Sequence, residues 1–164
     1  DYIILSITKN TGKETKSIFL TVIAYRDGIL ASDSNICSGD TLVGTGKKIL
    51  KTKEGYLVGA AGEFRNITAF LDWFEDHDTS GVPVTELKLT DNFSGLIIEP
   101  NGQVFFMDDS KVLLEIKDKF YAIGSGDNIA LGAMEAGATA IDAVKAASKR
   151  IISCGGRVQK VRLD

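Results

Sequence analysis

A threonine, an aspartate, a lysine and two glycine turns stand in an order that could carry acyl-transfer chemistry. Thr21 lies at the start of a strand-like run, Asp33 at the end of the next, and Lys48 is the second member of a lysine pair further on. Gly59-Ala60-Ala61-Gly62 then opens onto a helical pattern, and Gly124-Ser125-Gly126 opens onto another. A threonine hydroxyl is a poor nucleophile until a base takes its proton. If Thr21 were a first residue, its own α-amino group could be that base, because an α-amine has a pKa of about 8. A nearby lysine ammonium would lower that value by like-charge repulsion, and an aspartate would hold the lysine charged and in place. A helix N-terminus offers free backbone N–H groups, so the Gly62 N–H could stabilise an oxyanion. Glycine there would also let a substrate backbone come close.

Singly, each of these residues has an ordinary structural use. A strand threonine is most often a strand threonine, an aspartate after a strand caps a turn, and paired lysines are solvated. The signal is their combination and order. Competing motifs are weaker. Gly44-Thr45-Gly46-Lys47-Lys48 lacks the spacing of a phosphate loop, and no serine or threonine follows its lysine. Gly124-Ser125-Gly126 resembles half of a dinucleotide fingerprint, but Ile129 occupies the place of the third glycine. His77 is the only histidine, which excludes mechanisms that need two, and it reads as a helix-end residue. Cys37 and Cys154 form no CxxC motif, so they suggest reduced thiols rather than a zinc site or a disulfide framework. Arg65, Asp72 and Glu75 read as a solvated helix face, and Trp73 and Tyr121 as core or interface.

Bulk properties are compatible with such a site. A chain of 164 residues, 44% hydrophobic and 25% charged, favours one domain with a real core. A formal net charge of -3 gives no footprint for nucleic acid. No apolar run reaches the length of a membrane span, and no signal peptide is evident, so a cytoplasmic protein is expected.

The elements that must position these residues are legible in outline. Residues 1–17 end in a polar arm, and Ile18 to Tyr25 reads as one β-branched strand. Asp27-Gly28 makes a hairpin turn into Ile29–Ser32. Polar, glycine-containing residues run on to Lys48, and a hairpin around Lys51–Gly55 leads into Tyr56–Ala61. From Glu63 to His77, Phe64, Ile67, Phe70, Leu71 and Phe74 mark the apolar face of a helix. Residues 78–92 read as irregular around Gly81 and Pro83. Gly95–Glu99 and Gln103–Met107 flank a turn at Pro100-Asn101-Gly102, and Val112–Ile116 and Phe120–Ile123 are two further strands. Two helices follow, Asn128–Ala136 and Thr139–Ile152, the second with Thr139 as N-cap and Asp142 in the capping-box position. Val158–Leu163 closes the chain as a strand. Strands, a helix, strands, two helices and a strand predict an α+β fold of antiparallel sheets with segregated helices.

The run from Thr21 to Ser34 resembles the opening of mature proteasome β-subunits and of bacterial HslV-type peptidases. Gly46-Lys47-Lys48-Ile49, Gly59-Ala60-Ala61-Gly62 and the Ala122–Gly132 stretch around Gly124-Ser125-Gly126 resemble later motifs of that family, in the family's order. The resemblance covers Thr21 to about Leu163 and is nearest to compact proteasome-like proteins of phages and prophages. It implies a four-layer α/β/β/α sandwich of two antiparallel sheets and an N-terminal-nucleophile hydrolase. On that resemblance Thr21 is the nucleophile and its amine the base. Asp33 and Lys48 are its polar partners, Gly62 is the oxyanion donor, and Ser125 supports the amine. It further implies peptide or unfolded-protein substrates, a homo-oligomeric ring, an ATP-driven unfoldase as partner, and no cofactor, metal, nucleic acid or membrane. Residues 1–20 would be an extension (a propeptide, a tail or a mis-called start), and 21–164 the peptidase domain.

Three features depart from the family pattern. Leu20 stands before the threonine where a glycine is usual. Ile151 occupies the place of a late aspartate, with Cys154 replacing a serine or threonine. Residues 78–92 are too short for the family's second long helix. With Leu20 attached, Thr21 has an amide where the base should be. An inactive structural or assembly protein is therefore the second expectation, and an N-terminal-nucleophile amidase for a small amide the third.

Overall fold

The computed structural model describes residues 18–19, 21–76 and 86–164. Most of the N-terminal extension, His77, Gly81 and Pro83 lie outside the described residues.

The expected single strand over 18–25 is two strands, β1 (Ile18–Phe19) and β2 (Ile23–Arg26). Thr21 and Val22 leave the ladder because their polar groups are used elsewhere. The Val22 N–H donates to the Asp33 side chain, and the Thr21 carbonyl accepts from the Gly126 N–H. The Asp27-Gly28 turn, with both residues at positive φ, returns the chain as β3 (Ile29–Ser32). A hairpin absent from the sequence reading follows, β4 (Asn35–Ser38) and β5 (Thr41–Thr45). Every residue of β5 is exposed, so there is no buried alternation to betray it. Next come β6 (Ile49–Lys51) and β7 (Leu57–Glu63), joined through the expected turn, and α1 (Phe64–Asp76). Asn66, Ile67, Phe70, Leu71 and Phe74 are the buried residues of α1, whereas Phe64, expected on that face, is 44% exposed. Glu63, read as helical, is the last residue of β7.

The second half follows expectation within a residue or two. It comprises β8 (Phe93–Ile98), β9 (Val104–Asp108), β10 (Leu113–Ile116) and β11 (Phe120–Ile123). Helices α2 (Asp127–Glu135) and α3 (Ala140–Arg150) come before β12 (Gln159–Arg162). Thr139 caps α3 as predicted, its hydroxyl accepting from the Asp142 N–H at 3.1 Å.

The α+β class stands, but the expected two-sheet, four-layer α/β/β/α sandwich is corrected. Among the described residues the strands divide among three separate sheets, and the helices are three short ones. One sheet has six strands, ordered β1-β7-β8-β9-β10 with β6 also on β7; one has four, ordered β11-β2-β3-β12; the third is the β4–β5 hairpin. All pairings are antiparallel. The physical reason for the third sheet is local. A register shift between Ile36 and Cys37 and the exposed face of β5 let that hairpin pair with itself.

Three apolar clusters hold the elements together. Ile67, Phe70, Leu71 and Phe74 of α1 pack on Val58, Ala60, Ile97 and Met107 of the six-stranded sheet. Small residues of α2 and α3 (Ala130, Ala140, Ala143, Ala147) pack on Val22, Ala24, Ala31 and Ala122. Ile23, Leu30 and Ile123 of the four-stranded sheet meet Leu57, Leu96 and Ile98 of the six-stranded one. The last cluster fixes β2 against β7 and so sets the ground on which Thr21 stands.

Candidate active site

Thr21 is fully buried, and its Oγ1 has no hydrogen-bond partner among the described residues. Its carbonyl is held twice, by the Gly126 N–H at 3.3 Å and by the Ser125 hydroxyl at 3.3 Å. The glycine turn is needed for that approach. A Cβ on Gly124, which has φ +96, would collide with the Thr21 carbonyl, and one on Gly126 would press on Val22.

One residue on, Val22 exchanges two hydrogen bonds with Asp33: its N–H donates to Asp33 Oδ1 at 3.1 Å, and its carbonyl accepts from the Asp33 N–H at 3.2 Å. The same Oδ1 accepts from Lys48 Nζ at 2.9 Å. Both side chains are buried, Asp33 at 0% and Lys48 at 2% exposed. A lysine so enclosed is not the surface residue its neighbour is: Lys47 is exposed and reaches Glu75 at 3.6 Å. Burial pushes the Asp33 carboxyl pKa up; the Lys48 charge and the N–H groups of Val22 and Gly155 oppose the shift without cancelling it.

Two further supports have no counterpart in the sequence reading. The Gly155 N–H donates to Asp33 Oδ2 at 3.1 Å, and the Gly155 carbonyl accepts from the N–H groups of Ser34 and Asn35. The Gly155-Gly156 pair, legible only as a helix end, therefore carries the aspartate's second oxygen. Gln159 on β12 accepts from the Lys48 N–H and donates to the Gly46 carbonyl, which ties the lysine strand to β12. No local pattern marks Gln159, because its partners lie over a hundred residues away in sequence.

Gly62, the residue before the end of β7, has φ +122, and a Cβ there would collide with the Asn92 carbonyl. Its neighbour Ala61 lies against the Gly124 turn, and Gly62 itself pairs with Phe19, two residues before Thr21. The fold thus gathers Thr21, Asp33, Lys48, Gly62 and Ser125 around one strand end. The Cys154 sulfur lies 3.8 Å from the Ser125 hydroxyl. Burial, then the Asp33 charge, pushes its pKa up to about 12, so it is a neutral thiol and no rival nucleophile. Ile151 ends α3 as its C-cap and packs beside the alanine cluster, so no carboxylate enters from that position.

No protein-family model matches the chain, and no curated protein matches it in sequence. Solved structures do match. Thiobacillus denitrificans BPH in complex with epoxomicin is similar with a TM-score of 0.65 and 23% identity, over 88% of this chain and 98% of that one. Thiobacillus denitrificans BPH is similar with a TM-score of 0.64 and 23% identity, over 88% and 98% of the two chains. Among the described residues, no helix is long and apolar enough to cross a membrane. At this identity the likeness is one of fold, shared over nearly the whole of both chains.

Proposed function

We propose that the chain is a threonine-type endopeptidase of the proteasome/HslV kind, with Thr21 as an N-terminal nucleophile once the bond to Leu20 is absent. The observation that carries this reading is the buried Lys48–Asp33 pair, anchored to the Val22 N–H beside a threonine hydroxyl that has no partner among the described residues. A buried charge pair is seldom favourable for stability alone, which makes a functional use for it attractive.

In the proposed cycle Thr21 Oγ1 attacks the scissile carbonyl carbon and passes its proton to the Thr21 amine. The Gly62 N–H stabilises the oxyanion. The ammonium returns the proton to the leaving nitrogen, which leaves an ester on Thr21. Water then attacks that ester with the amine again as base, releasing the acid. The Lys48 ammonium keeps the amine's pKa low, Asp33 holds Lys48, and Ser125 steadies the Thr21 backbone. Peptides or unfolded proteins as substrates, a homo-oligomeric ring, an ATP-driven unfoldase and a cytoplasmic location belong to the same proposal. That a protein of similar fold was solved with epoxomicin supports choosing this compound as the probe.

The test is intact-mass analysis of protein confirmed to begin at Thr21, incubated with epoxomicin and with fluorogenic peptides. Covalent addition and peptide hydrolysis are expected, and Thr21→Ala should abolish both. A chain beginning at Thr21 that neither reacts nor cleaves would sink the reading. It would favour a non-catalytic assembly protein instead, the second reading that Ile151 and the Leu20–Thr21 bond support.

A further inference from the structure

Next to Gly62 stands a buried carboxylate that this chemistry does not use. Glu63 is 4% exposed. Its Oε2 accepts from Arg65 Nε at 2.6 Å and from the Thr90 hydroxyl at 3.3 Å. Its Oε1 is buried with no partner among the described residues. Leaving a buried carboxylate oxygen unpaired is costly. Arg65 does not remove the cost, because its side chain is 61% exposed and reaches only the other oxygen.

The register of β1 shows what comes close. Phe19 stands opposite Gly62, and Ile18 opposite Glu63, in an antiparallel pair. A substrate residue lying opposite Glu63 in such a pair would share its face of the sheet, with Cβ atoms about 4.5–5.5 Å apart. Segment 18–19 thus occupies β7 as an extended peptide would, and the Leu20–Thr21 bond follows it in the chain. Counted back from that bond, the third residue is the one opposite Glu63. We propose that Glu63 is a specificity-determining residue, selecting lysine or arginine at the third position on the amino side of the bond cut. A long cationic side chain would supply the donor that Oε1 lacks, shielded from solvent, where a charge-assisted bond is strongest. This inference rests on the threonine peptidase reading, but its contact can be tested apart from it.

The first experiment uses the full chain. Ile18→Lys and Ile18→Glu are each made with and without Glu63→Gln, and amide hydrogen exchange is followed at residues 18 and 19. With Glu63 present, exchange should be about tenfold slower in Ile18→Lys than in Ile18→Glu, and Glu63→Gln should erase the difference. The second uses protein beginning at Thr21 and two aminocoumarin peptides, acetyl-Lys-Phe-Leu and acetyl-Ile-Phe-Leu. Here kcat/KM should favour the lysine peptide about tenfold, and the ratio should fall towards one in Glu63→Gln. Equal exchange of the two full-chain variants would overturn the proposal, as would hydrolysis without preference. Coupled exchange without any hydrolysis would instead sink the peptidase reading and leave Glu63 only a contact for residue 18.

Discussion

The residue that organises the candidate site is Asp33, which joins three separate stretches of chain. Its Oδ1 takes Lys48 and the Val22 N–H, and its Oδ2 takes the Gly155 N–H. Burial raises its pKa above the ordinary 3.8 despite these partners. The folded state therefore binds the Asp33 proton more tightly than the unfolded chain does. In the window above pH 3.8, up to the raised folded value, that excess proton is lost, so this group's contribution to stability falls as pH rises. Urea unfolding from pH 4 to 7 should show a steeper slope of this sign in the natural chain than in Asp33→Asn. An equal slope in both would assign the effect elsewhere. Half-buried Asp127, also raised by burial, adds a contribution of the same sign that remains in the variant.

At the scale of elements, the sharpest local signals are those whose partners are near in sequence. Thr139 is legible as a cap because Asp142 is three residues on, and the bond is there. Thr139→Ala should cost about 1 kcal/mol, read as a lowered urea midpoint with an unchanged slope. The hairpin turns at Asp27-Gly28 and Asn101-Gly102 are legible for the same reason. What stays hidden depends on distant partners or on exposed strands. Exposed β5 shows no apolar alternation, so nothing in the sequence marks the β4–β5 sheet, and two sheets are expected where there are three. The break between β1 and β2 follows from bonds to Asp33 and Gly126 that no window around Thr21 contains. The order of Thr21, Asp33, Lys48, Gly62 and Ser125 suggests one cluster, and the fold assembles it. Its supports, Gly155 and Gln159, come from the far end of the chain.

Over the whole molecule, the large apolar side chains left uncovered among the described residues stand singly at Phe64 and Ile152 and in two runs. Leu42 and Val43 are 59% and 62% exposed on the β4–β5 hairpin. Val112, Leu113 and Leu114 are 69%, 45% and 58% exposed at β10, the strand that ends the six-stranded sheet. For the ring put forward under the proposed function, exposed apolar residues on different sheets are the candidate contact points between copies. In the proposed assembly, Leu114→Lys should reduce the particle mass seen by light scattering. Stability of the subunit should change by no more than about 0.5 kcal/mol, as is usual for an exposed site. An unchanged mass would place the contact elsewhere. A last property of the whole molecule comes from its two cysteines. Both are free and both are buried, Cys37 at 6% and Cys154 at 3% exposed. A maleimide in solution therefore meets only molecules that have opened. Cys37 lies in the small hairpin sheet and Cys154 in the loop after α3, and the Cys37 thiol donates to the Ser153 carbonyl at 3.6 Å, so the two thiols flank one contact between hairpin and loop. Their alkylation rates report how often that contact opens, without any label being engineered into the chain.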